Sequence, residues 1–381
     1  MDRYGQELQR LLEKGDLRTL PDVRHEGKWI VGGGRRMLNL SSNDYLGLAA
    51  DKELRREFME TLDEEDFLFS SSSSRLLTGN FDICTRLEDK LAGLFRAESA
   101  LVFSSGYHMN AGILPAISDS HTLILADKLV HASLIDGIRL SPAHAIRYRH
   151  QDYGQLESLV DKYRKEYERI VIVTESVFSM DGDVTDLRRL VSIKRLSPQQ
   201  ILLYVDEAHA IGVRGRNGLG IAEEQECVPE VDFLCGTFGK AMASVGAYVV
   251  CRRELRDYLV NKMRTLIFTT ALPPVNLAWT CFLLERLPQW KGLRMHLDDM
   301  AARLRNCLGG GEGCVSGSHI IPLIEGESGK AVLKAEELRR KGFYVLPVRP
   351  PTVPEGTSRL RFSLRADIAD EELDALITCL K

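Results

Sequence analysis

Short apolar runs that end in polar or glycine-containing turns recur through the middle of the chain. The five clearest are SALVFSSGYHMN, HTLILADKLVHAS, RIVIVTESVFSMDGD, ILLYVDEAHAIG and VDFLCGTFGK, which begin at residues 99, 121, 169, 201 and 231. Helical patterns over 153–169 and 187–195 lie between some of them. Strands that alternate with helices predict a mostly parallel sheet covered by helices on both faces, which is an α/β fold.

The residues that directly follow these runs carry most of the candidate chemistry. In an open parallel sheet the ligand crevice lies at the carboxyl ends of the strands, so these side chains are expected to converge there. The residues concerned are Ser105, Gly106, His131, Ser179, Asp206, His209, Thr237 and Lys240. Each of them could also be ordinary turn or capping chemistry, but the same ending on successive runs favours a shared site.

The pattern changes after Pro273 and Pro274. Two helical stretches are followed by three strand-like segments around a further helix, which is typical of an α+β layer. Near the N-terminus, an amphipathic helix precedes the glycine-rich VGGGRRM turn, which suits a tight hairpin. The sequence therefore predicts an N-terminal arm at 1–38, a large domain at 39–275 and a small domain at 276–381.

Composition excludes several classes of function. The 381 residues are 44% hydrophobic and 27% charged, with a net charge of -4, so no affinity for nucleic acid or anionic lipid is expected. No apolar run is long enough for a membrane span, and the N-terminus has no signal-peptide core. The eight cysteines form no CxxC pair and no zinc-ligand spacing, which favours a cytoplasmic protein without a metal site.

Lys240 lies in the segment CGTFGKAMASVGAY as the one charge among small and apolar residues. A buried ammonium is costly without a partner, although a loop lysine can instead bend out to solvent. Asp206 could cap a helix or could pair with a cationic ring nitrogen. Ser105 and Gly106 open a helix whose free N–H groups suit an anion. Lysine, buried carboxylate and anion site together match the requirements of pyridoxal 5'-phosphate.

Several motifs in the chain resemble those of the α-oxoamine synthases, pyridoxal-phosphate enzymes of the aspartate aminotransferase fold type. They are SNDYLGL, SSGYHMN, HAS, TESVFSMDGD, VDEAHAIGVRGRNGLG, GTFGKA and RPPTVPEGTSRLRFSL, in the family's order. The resemblance covers the chain from about residue 35 onward. It implies an acyltransferase that condenses an amino acid with an acyl thioester and releases carbon dioxide and free thiol. RPPTVPEGTSRLR and RLLTGN are most similar to the branch that uses L-alanine and a pimeloyl thioester.

The resemblance also implies roles for individual residues. Lys240 would bind the cofactor covalently and move the α-proton, with His131, Asp206 and His209 as further catalytic residues. The implied cofactor-binding residues are Ser105, Gly106, Tyr107, His131, Ser179, Asp206, His209, Thr237, Lys240, Thr269 and Thr270. The implied substrate-binding residues are Asn43, Arg349 and Arg18. TLIFTTALPP resembles the segment that offers Thr269 or Thr270 to a neighbouring subunit, so a C2 homodimer is expected.

Two departures from the family pattern and several alternative functions accompany this interpretation. Ser70 to Ser74 occupy a position where many relatives have glycines, and serine adopts positive φ less readily. Ala241, Ala243 and Val245 replace residues that are often Gly or Ser in relatives. A sister enzyme that uses glycine or serine is the nearest alternative. A cofactor-binding regulator lacks a basic DNA-binding arm here, and a nicotinamide dehydrogenase lacks a GxGxxG after a strand.

Overall fold

The computed structural model describes residues 2–198, 200–309 and 314–381. Its helices are α1 Arg3–Glu13, α2 Lys52–Thr61, α3 Asp82–Phe95, α4 Gly106–Ile117, α5 Ala132–Leu140, α6 Tyr153–Tyr163, α7 Leu187–Lys194, α8 Ile221–Glu224, α9 Arg253–Lys262, α10 Arg264–Ile267, α11 Pro274–Arg286, α12 Lys291–Cys307, α13 Ser328–Arg340 and α14 Asp370–Leu380. Its strands are β1 Arg24–Glu26, β2 Trp29–Gly32, β3 Arg35–Asn39, β4 Ser99–Phe103, β5 Thr122–Asp127, β6 His144–Tyr148, β7 Arg169–Glu175, β8 Ile201–Asp206, β9 Phe233–Thr237, β10 Ala247–Cys251, β11 Ile320–Gly326, β12 Phe343–Tyr344, β13 Pro347–Val348 and β14 Ser358–Ser363.

Seven of these strands form one mostly parallel sheet, which confirms the α/β fold class. The strand order is β4-β10-β9-β8-β7-β5-β6. The five strands from β9 to β6 pair in parallel, whereas β10 runs antiparallel to both β9 and β4. All five sequence-predicted runs are strands of this sheet. Strands β6 and β10 were not among them.

Burial on both faces explains why the central strands form where they do. Strand β5 (TLILAD) is buried at every position, and β7 (RIVIVTE) at every position after its first. Such continuous apolar, β-branched runs are typical of parallel strands that helices cover on both sides. The core against them includes Ile113 and Leu114 of α4 and Leu134 of α5.

The chain divides into two compact units. One contains residues 52–178 and 184–294, and therefore the whole seven-stranded sheet. The other contains residues 1–51, 179–183 and 295–381. The division drawn from the sequence, with an arm at 1–38 and a boundary at 275, follows other limits and stays a prediction.

Two small sheets organise the second unit. One has the order β1-β2-β3-β12, in which β2 and β3 form an antiparallel hairpin across Gly33 and Gly34. Both glycines have positive φ, 57° and 74°, as the glycine-rich turn predicts. The other sheet has the order β11-β14-β13 and is antiparallel. Across the residues that the structure describes, no helix combines the length and apolar character needed to cross a membrane.

Candidate active site

A cavity of about 200 Å³ lies at the carboxyl ends of the seven-stranded sheet. Seven of the predicted site residues line it, namely Gly106, Tyr107, His131, Asp206, His209, Thr237 and Lys240. The structure therefore brings together most of the side chains that the strand endings predicted. Asn110, Ser133 and Glu175 also line the cavity and were missed.

Lys240 lies in the nine-residue connection between β9 and the antiparallel β10. Its backbone carbonyl accepts a hydrogen bond from the Ala243 N–H at 2.9 Å, and Ser244 N–H donates to Phe238 O at 2.9 Å. The amine Nζ is 2.8 Å from Nε2 of His209, which is itself buried. Lys240 is thus half-buried, held on a closed loop, and hydrogen-bonded to an imidazole rather than bent away into solvent.

Asp206 ends β8 and is only 5% exposed. Its carboxylate accepts hydrogen bonds from Asn110 Nδ2 at 2.8 Å and from the Ala208 N–H at 2.9 Å. Asn110 is oriented in turn by the Tyr204 hydroxyl, which donates to its Oδ1 at 2.6 Å. Both of these donors are neutral amides, so the buried carboxyl group of Asp206 is suited to a further, cationic partner.

Asn110 is a site residue that sequence reasoning missed although it ends the quoted motif SSGYHMN. The signal was present, since a polar amide lies on the buried face of α4 among apolar neighbours. A buried amide needs hydrogen-bond partners, and its Nδ2 also donates to Ser133 Oγ at 2.9 Å. The residue therefore links α4, α5 and β8 beneath the cavity.

His131 and Glu175 form a second pair at the cavity. His131 caps α5 through Nδ1, which accepts from the Ser133 N–H at 3.2 Å. The backbone N–H of His131 donates to the Glu175 carboxyl at 2.5 Å. Burial lowers the pKa of His131 and outweighs the opposing effect of Asp206, so the ring is neutral at pH 7. Burial, reinforced by Asp206, raises the pKa of Glu175 well above its usual range.

Glu207, next to Asp206, is a further buried acid that sequence reasoning did not select. Its carboxylate accepts from the Ile221 and Ala222 N–H groups at 3.0 and 2.7 Å and from the Ser176 hydroxyl. It therefore caps α8 and ties that turn to the end of β8. Gly220 makes room for it, because a Cβ there would lie 2.6 Å from Glu207 Oε2.

The N-terminus of α4, which is suited to an anion, forms part of one wall of the cavity. Ser105 is the N-cap, and its hydroxyl accepts from the His108 N–H at 3.1 Å. Gly106 and Tyr107 follow and have first-turn N–H groups that no helical carbonyl can satisfy. Thr237 faces Gly106, and a Cβ added to Gly106 would lie 3.7 Å from its Cβ. Ser105 itself does not line the cavity.

Ser179 and Asn43 belong to the second unit, where Arg361 connects them. Arg361 Nε donates to the Ser179 carbonyl at 2.5 Å, and its Nη1 lies 3.3 Å from Asn43 Oδ1. The Tyr45 hydroxyl donates to the same Asn43 oxygen at 3.0 Å. Arg361 is therefore an arginine beside two predicted site residues, and the sequence did not single it out.

Arg349 and Arg18 line a different, larger cavity of the second unit, of about 790 Å³. Arg349 donates to the Gly15 carbonyl, and Arg18 Nη2 donates to Thr352 Oγ1 at 2.7 Å. Within the part of the chain that the structure describes, neither arginine is hydrogen-bonded to Asn43. Thr269 and Thr270 follow α10, where Thr270 forms an isolated antiparallel bridge with Ser74.

Both departures from the family pattern carry strained backbone. Ser72 has φ of 50° and Ala243 has φ of 44°, in the left-handed region that favours glycine. Ser71 secures the serine run by donating its hydroxyl to the Ala271 carbonyl at 2.8 Å. The run is therefore a turn that is hydrogen-bonded to residues 270–271. One residue of it, Ser72, has a backbone conformation that costs glycine less free energy than serine.

Comparison with known proteins places this geometry in a family. Residues 35–380 match the model of the family described as aminotransferase class I and II. The 8-amino-7-oxononanoate synthase of Haemophilus ducreyi is 54% identical, with both chains fully covered. Proteins named putative 8-amino-7-oxononanoate synthase in Glaesserella parasuis and Neisseria meningitidis serogroup C are 55% and 54% identical, again over both full lengths.

Solved structures agree with the fold. A serine palmitoyltransferase from S. paucimobilis, with a bound pyridoxal-phosphate–myriocin aldimine, superposes with a TM-score of 0.89 at 28% identity, covering 100% of this chain and 96% of that one. The 8-amino-7-oxononanoate synthase from Francisella tularensis superposes with a TM-score of 0.76 at 28% identity, covering 90% and 96%.

Proposed function

Because this chain belongs to the class I and II aminotransferase family and, within it, to the α-oxoamine synthases, we propose that it is a pyridoxal-phosphate-dependent acyltransferase. It condenses L-alanine with a pimeloyl thioester to give 8-amino-7-oxononanoate, carbon dioxide and free thiol, a step of biotin biosynthesis. The observation that carries the proposal is the cavity in which Lys240, His209 and the buried Asp206 meet the N-terminus of α4.

The donor set of that cavity fits pyridoxal phosphate. Asp206 supplies a buried carboxylate for a protonated ring nitrogen, and the first turn of α4 with Thr237 supplies N–H and hydroxyl donors for the phosphate. His131, whose pKa is lowered by burial, would offer the flat face of its imidazole to the ring. When bound, the cofactor supplies an electron sink that stabilises negative charge at the Cα of the amino acid.

The protein's own residues then move and hold protons. Lys240 Nζ is the group that takes the α-proton of the amino acid and later returns it. His209 Nε2, 2.8 Å away, shares a hydrogen bond with that amine and orients it. Asp206, which Asn110 orients, would keep the ring nitrogen of the bound cofactor protonated. Glu207 fixes the segment that carries Asp206 and His209 by capping α8.

Two arginines are candidates for the carboxylate of the amino acid. Arg349 is the residue implied by family resemblance. Arg361 is favoured by geometry, because it hydrogen-bonds both Asn43 and the Ser179 carbonyl. Either guanidinium could bind a carboxylate in the bidentate manner typical of arginine.

A sister enzyme remains the second candidate. The serine palmitoyltransferase structure superposes with a higher TM-score than the 8-amino-7-oxononanoate synthase structure. Backbone similarity at 28% identity reports the shared fold, whereas 54% identity over full length reports more of the side chains that select substrates. The alanine and pimeloyl pair is therefore preferred.

A matrix of substrates tests the proposal. Glycine, L-alanine and L-serine are each combined with acetyl, pimeloyl and palmitoyl thioesters, and thiol release and product mass are recorded. L-alanine with the pimeloyl thioester should give the highest kcat/KM. Glycine should be a poor rather than a rejected substrate, since one methyl group is worth only about 1–3 kcal/mol. A higher kcat/KM for glycine with acetyl or serine with palmitoyl thioester would replace the named substrates.

We further propose a homodimer in the cytoplasm. Phe69, Leu77 and Phe268 are large apolar residues that are 74%, 80% and 71% exposed. They flank the serine run and the Thr269–Thr270 segment, which are joined by the bridge between Ser74 and Thr270. Exposed apolar residues concentrated in this way mark an interaction surface, and a second copy of the chain is its proposed occupant.

A further inference from the structure

The lining of the cavity of about 790 Å³ in the second unit has an excess of positively charged side chains. Four arginines line it, Arg18, Arg35, Arg339 and Arg349, against one carboxylate, Asp22. Among the described residues, none of the four lies within ion-pair distance of an acid. Its volume is within the range of roughly 300–1,000 Å³ that small-molecule sites occupy. The cavity is therefore an anion-attracting site of ligand size.

Arg339 is the most informative of the four. Its guanidinium carbon lies 5.1 Å from the centre of the Tyr344 ring, and its Nε is fully buried without a hydrogen-bond partner in the described structure. A buried donor without a partner costs free energy unless a ligand supplies the acceptor. Arg18 and Arg349, by contrast, already donate to a hydroxyl and a carbonyl oxygen.

Most of the rest of the lining is apolar. Met37 and Tyr344 are buried residues of one hydrophobic cluster, and Leu17, Val332 and Val348 line the same cavity. A site that combines apolar walls with unneutralised guanidinium groups suits a chain of methylene groups that bears an anion. Met180 also lines it, and the preceding residue, Ser179, accepts the hydrogen bond from Arg361.

We propose that this cavity binds an anionic group of the acyl donor, with Arg339 as the residue that recognises it. The inference rests on the proposed function, which supplies a thioester with two kinds of anion. One is the terminal carboxylate of the pimeloyl chain, and the other is a phosphate of coenzyme A. Both accept the charge-assisted hydrogen bonds that a guanidinium donates.

Kinetics with two acyl donors distinguish these anions. Pimeloyl-CoA is compared with heptanoyl-CoA, which has the same chain length and no terminal carboxylate, in the holoenzyme and in Arg339→Gln. A loss of roughly tenfold or more in kcat/KM for pimeloyl-CoA alone supports the proposal and identifies the chain carboxylate. An equal rise in KM for both donors supports it and identifies the phosphate. Unchanged values for both overturn it.

Two further variants guard against a folding artefact. Arg340→Gln, at an exposed position beside Arg339 that does not line the cavity, is the matched control and should behave as wild type. Arg35→Gln changes an exposed strand residue of the lining and should weaken the same donor, by a smaller factor. If Arg339→Gln unfolds, the result with Arg35→Gln decides the test. Kinetics of Arg35→Gln that equal those of the wild type would then overturn the proposal.

Calorimetry with the holoenzyme separates this proposal from the proposed function. Heptanedioate, heptanoate and inorganic phosphate are titrated in the absence of an amino acid. Binding of heptanedioate or phosphate that Arg339→Gln or Arg35→Gln weakens supports the anion site, even if alanine and pimeloyl-CoA give no product. If all three fail to bind while wild-type enzyme does turn over pimeloyl-CoA, the proposed function stands and the anion site is wrong.

Discussion

At the scale of single residues, the candidate site is a half-buried lysine and a buried carboxylate whose hydrogen-bond partners come from the segment after β8 and from helix α4. Lys240 meets His209, while Asp206 receives only neutral amides. The sequence predicted both residues because each follows an apolar run. It could not predict Asn110, whose orientation towards Asp206 depends on how α4 packs against β8, nor Arg361, whose contacts join segments more than 180 residues apart.

Replacement of Lys240 tests the assignment of the cofactor-binding amine. Wild-type protein should be yellow, and borohydride should attach the cofactor to this residue. Lys240→Ala should lose the absorption band and at least about 100-fold in kcat, since the α-proton has no acceptor. Lys262→Ala, at an exposed position at the end of α9, is the matched control. Persistence of the band in Lys240→Ala without added amines would refute the assignment.

Paired substitutions decide between the two arginines proposed for the amino-acid carboxylate. Arg361→Gln should raise the KM for L-alanine by roughly tenfold or more, because a charge-assisted bond is lost. Arg349→Gln should leave that KM nearly unchanged and should act on the acyl donor instead. Steady-state kinetics with each substrate varied in turn measure both effects. The reverse result would restore the role that family resemblance assigns to Arg349.

Glu207 should make stability depend on pH. Burial raises the pKa of Glu207 from 4.5 to about 7 in the folded protein. A carboxyl group whose pKa is higher in the folded state stabilises the fold fully below its unfolded pKa, and this contribution is lost as pH rises through 7. Relative to Glu207→Gln, wild-type stability should fall by about 3 kcal/mol between pH 4.5 and 8. Urea unfolding at several pH values measures this, and parallel profiles would contradict it.

At the scale of elements, the strands were predictable and their partners only partly so. β5 and β7 are nearly continuous apolar runs, so the sequence alone predicts them as buried strands. β6 (HAIRY) is a half-exposed edge strand with a weak pattern, and β10 follows β9 without a helix between them. The antiparallel β10 breaks the strand–helix alternation, so a period-based argument has no signal for it.

The ion pair that connects the serine run to α3 should contribute strongly to the stability of the unit that contains the seven-stranded sheet. Arg75 forms a buried ion pair with Glu88, whose carboxylate also accepts from the Val102 N–H at 2.9 Å. Arg75→Ala should destabilise the protein by about 3 kcal/mol, because a buried carboxylate loses its main counter-charge. Lys90→Ala, which removes a partly exposed pair with Glu285, should cost less than about 1 kcal/mol. Urea midpoints compare the two, and equal shifts would contradict the distinction.

At the scale of the whole molecule, the family and fold follow from the sequence, whereas the grouping into two compact units rests on contacts between distant segments. Residues 1–51 and 179–183 group with the C-terminal residues 295–381. Such a grouping depends on non-local contacts, for example the parallel pairing of β12 with β3. No linker composition marks it, and a reading along the chain therefore places boundaries by pattern changes instead.

Mixed dimers test the proposed assembly. Lys240→Ala subunits are combined with Thr269→Ala/Thr270→Ala subunits after separate purification. If each site takes its lysine from one subunit and its threonine from the other, random exchange should restore about a quarter of wild-type activity, because half the dimers have one intact site of two. Light scattering supplies the subunit count. Activity equal to the mean of the two parents, or a monomer, would contradict the model.

The antiparallel β10 also determines how Lys240 can behave as a tether. The loop that carries it leaves one strand and returns in the adjacent strand, closed by Phe238 N–H to Gly246 O at 2.9 Å. In a strand–helix crossover, the same lysine would lie in the first turn of a helix, and that helix could shift along the face of the sheet. Here both ends of the loop continue into adjacent strands inside the sheet. A group covalently attached to Nζ can therefore change position by rotation of the lysine side chain, while the backbone of Lys240 stays in place.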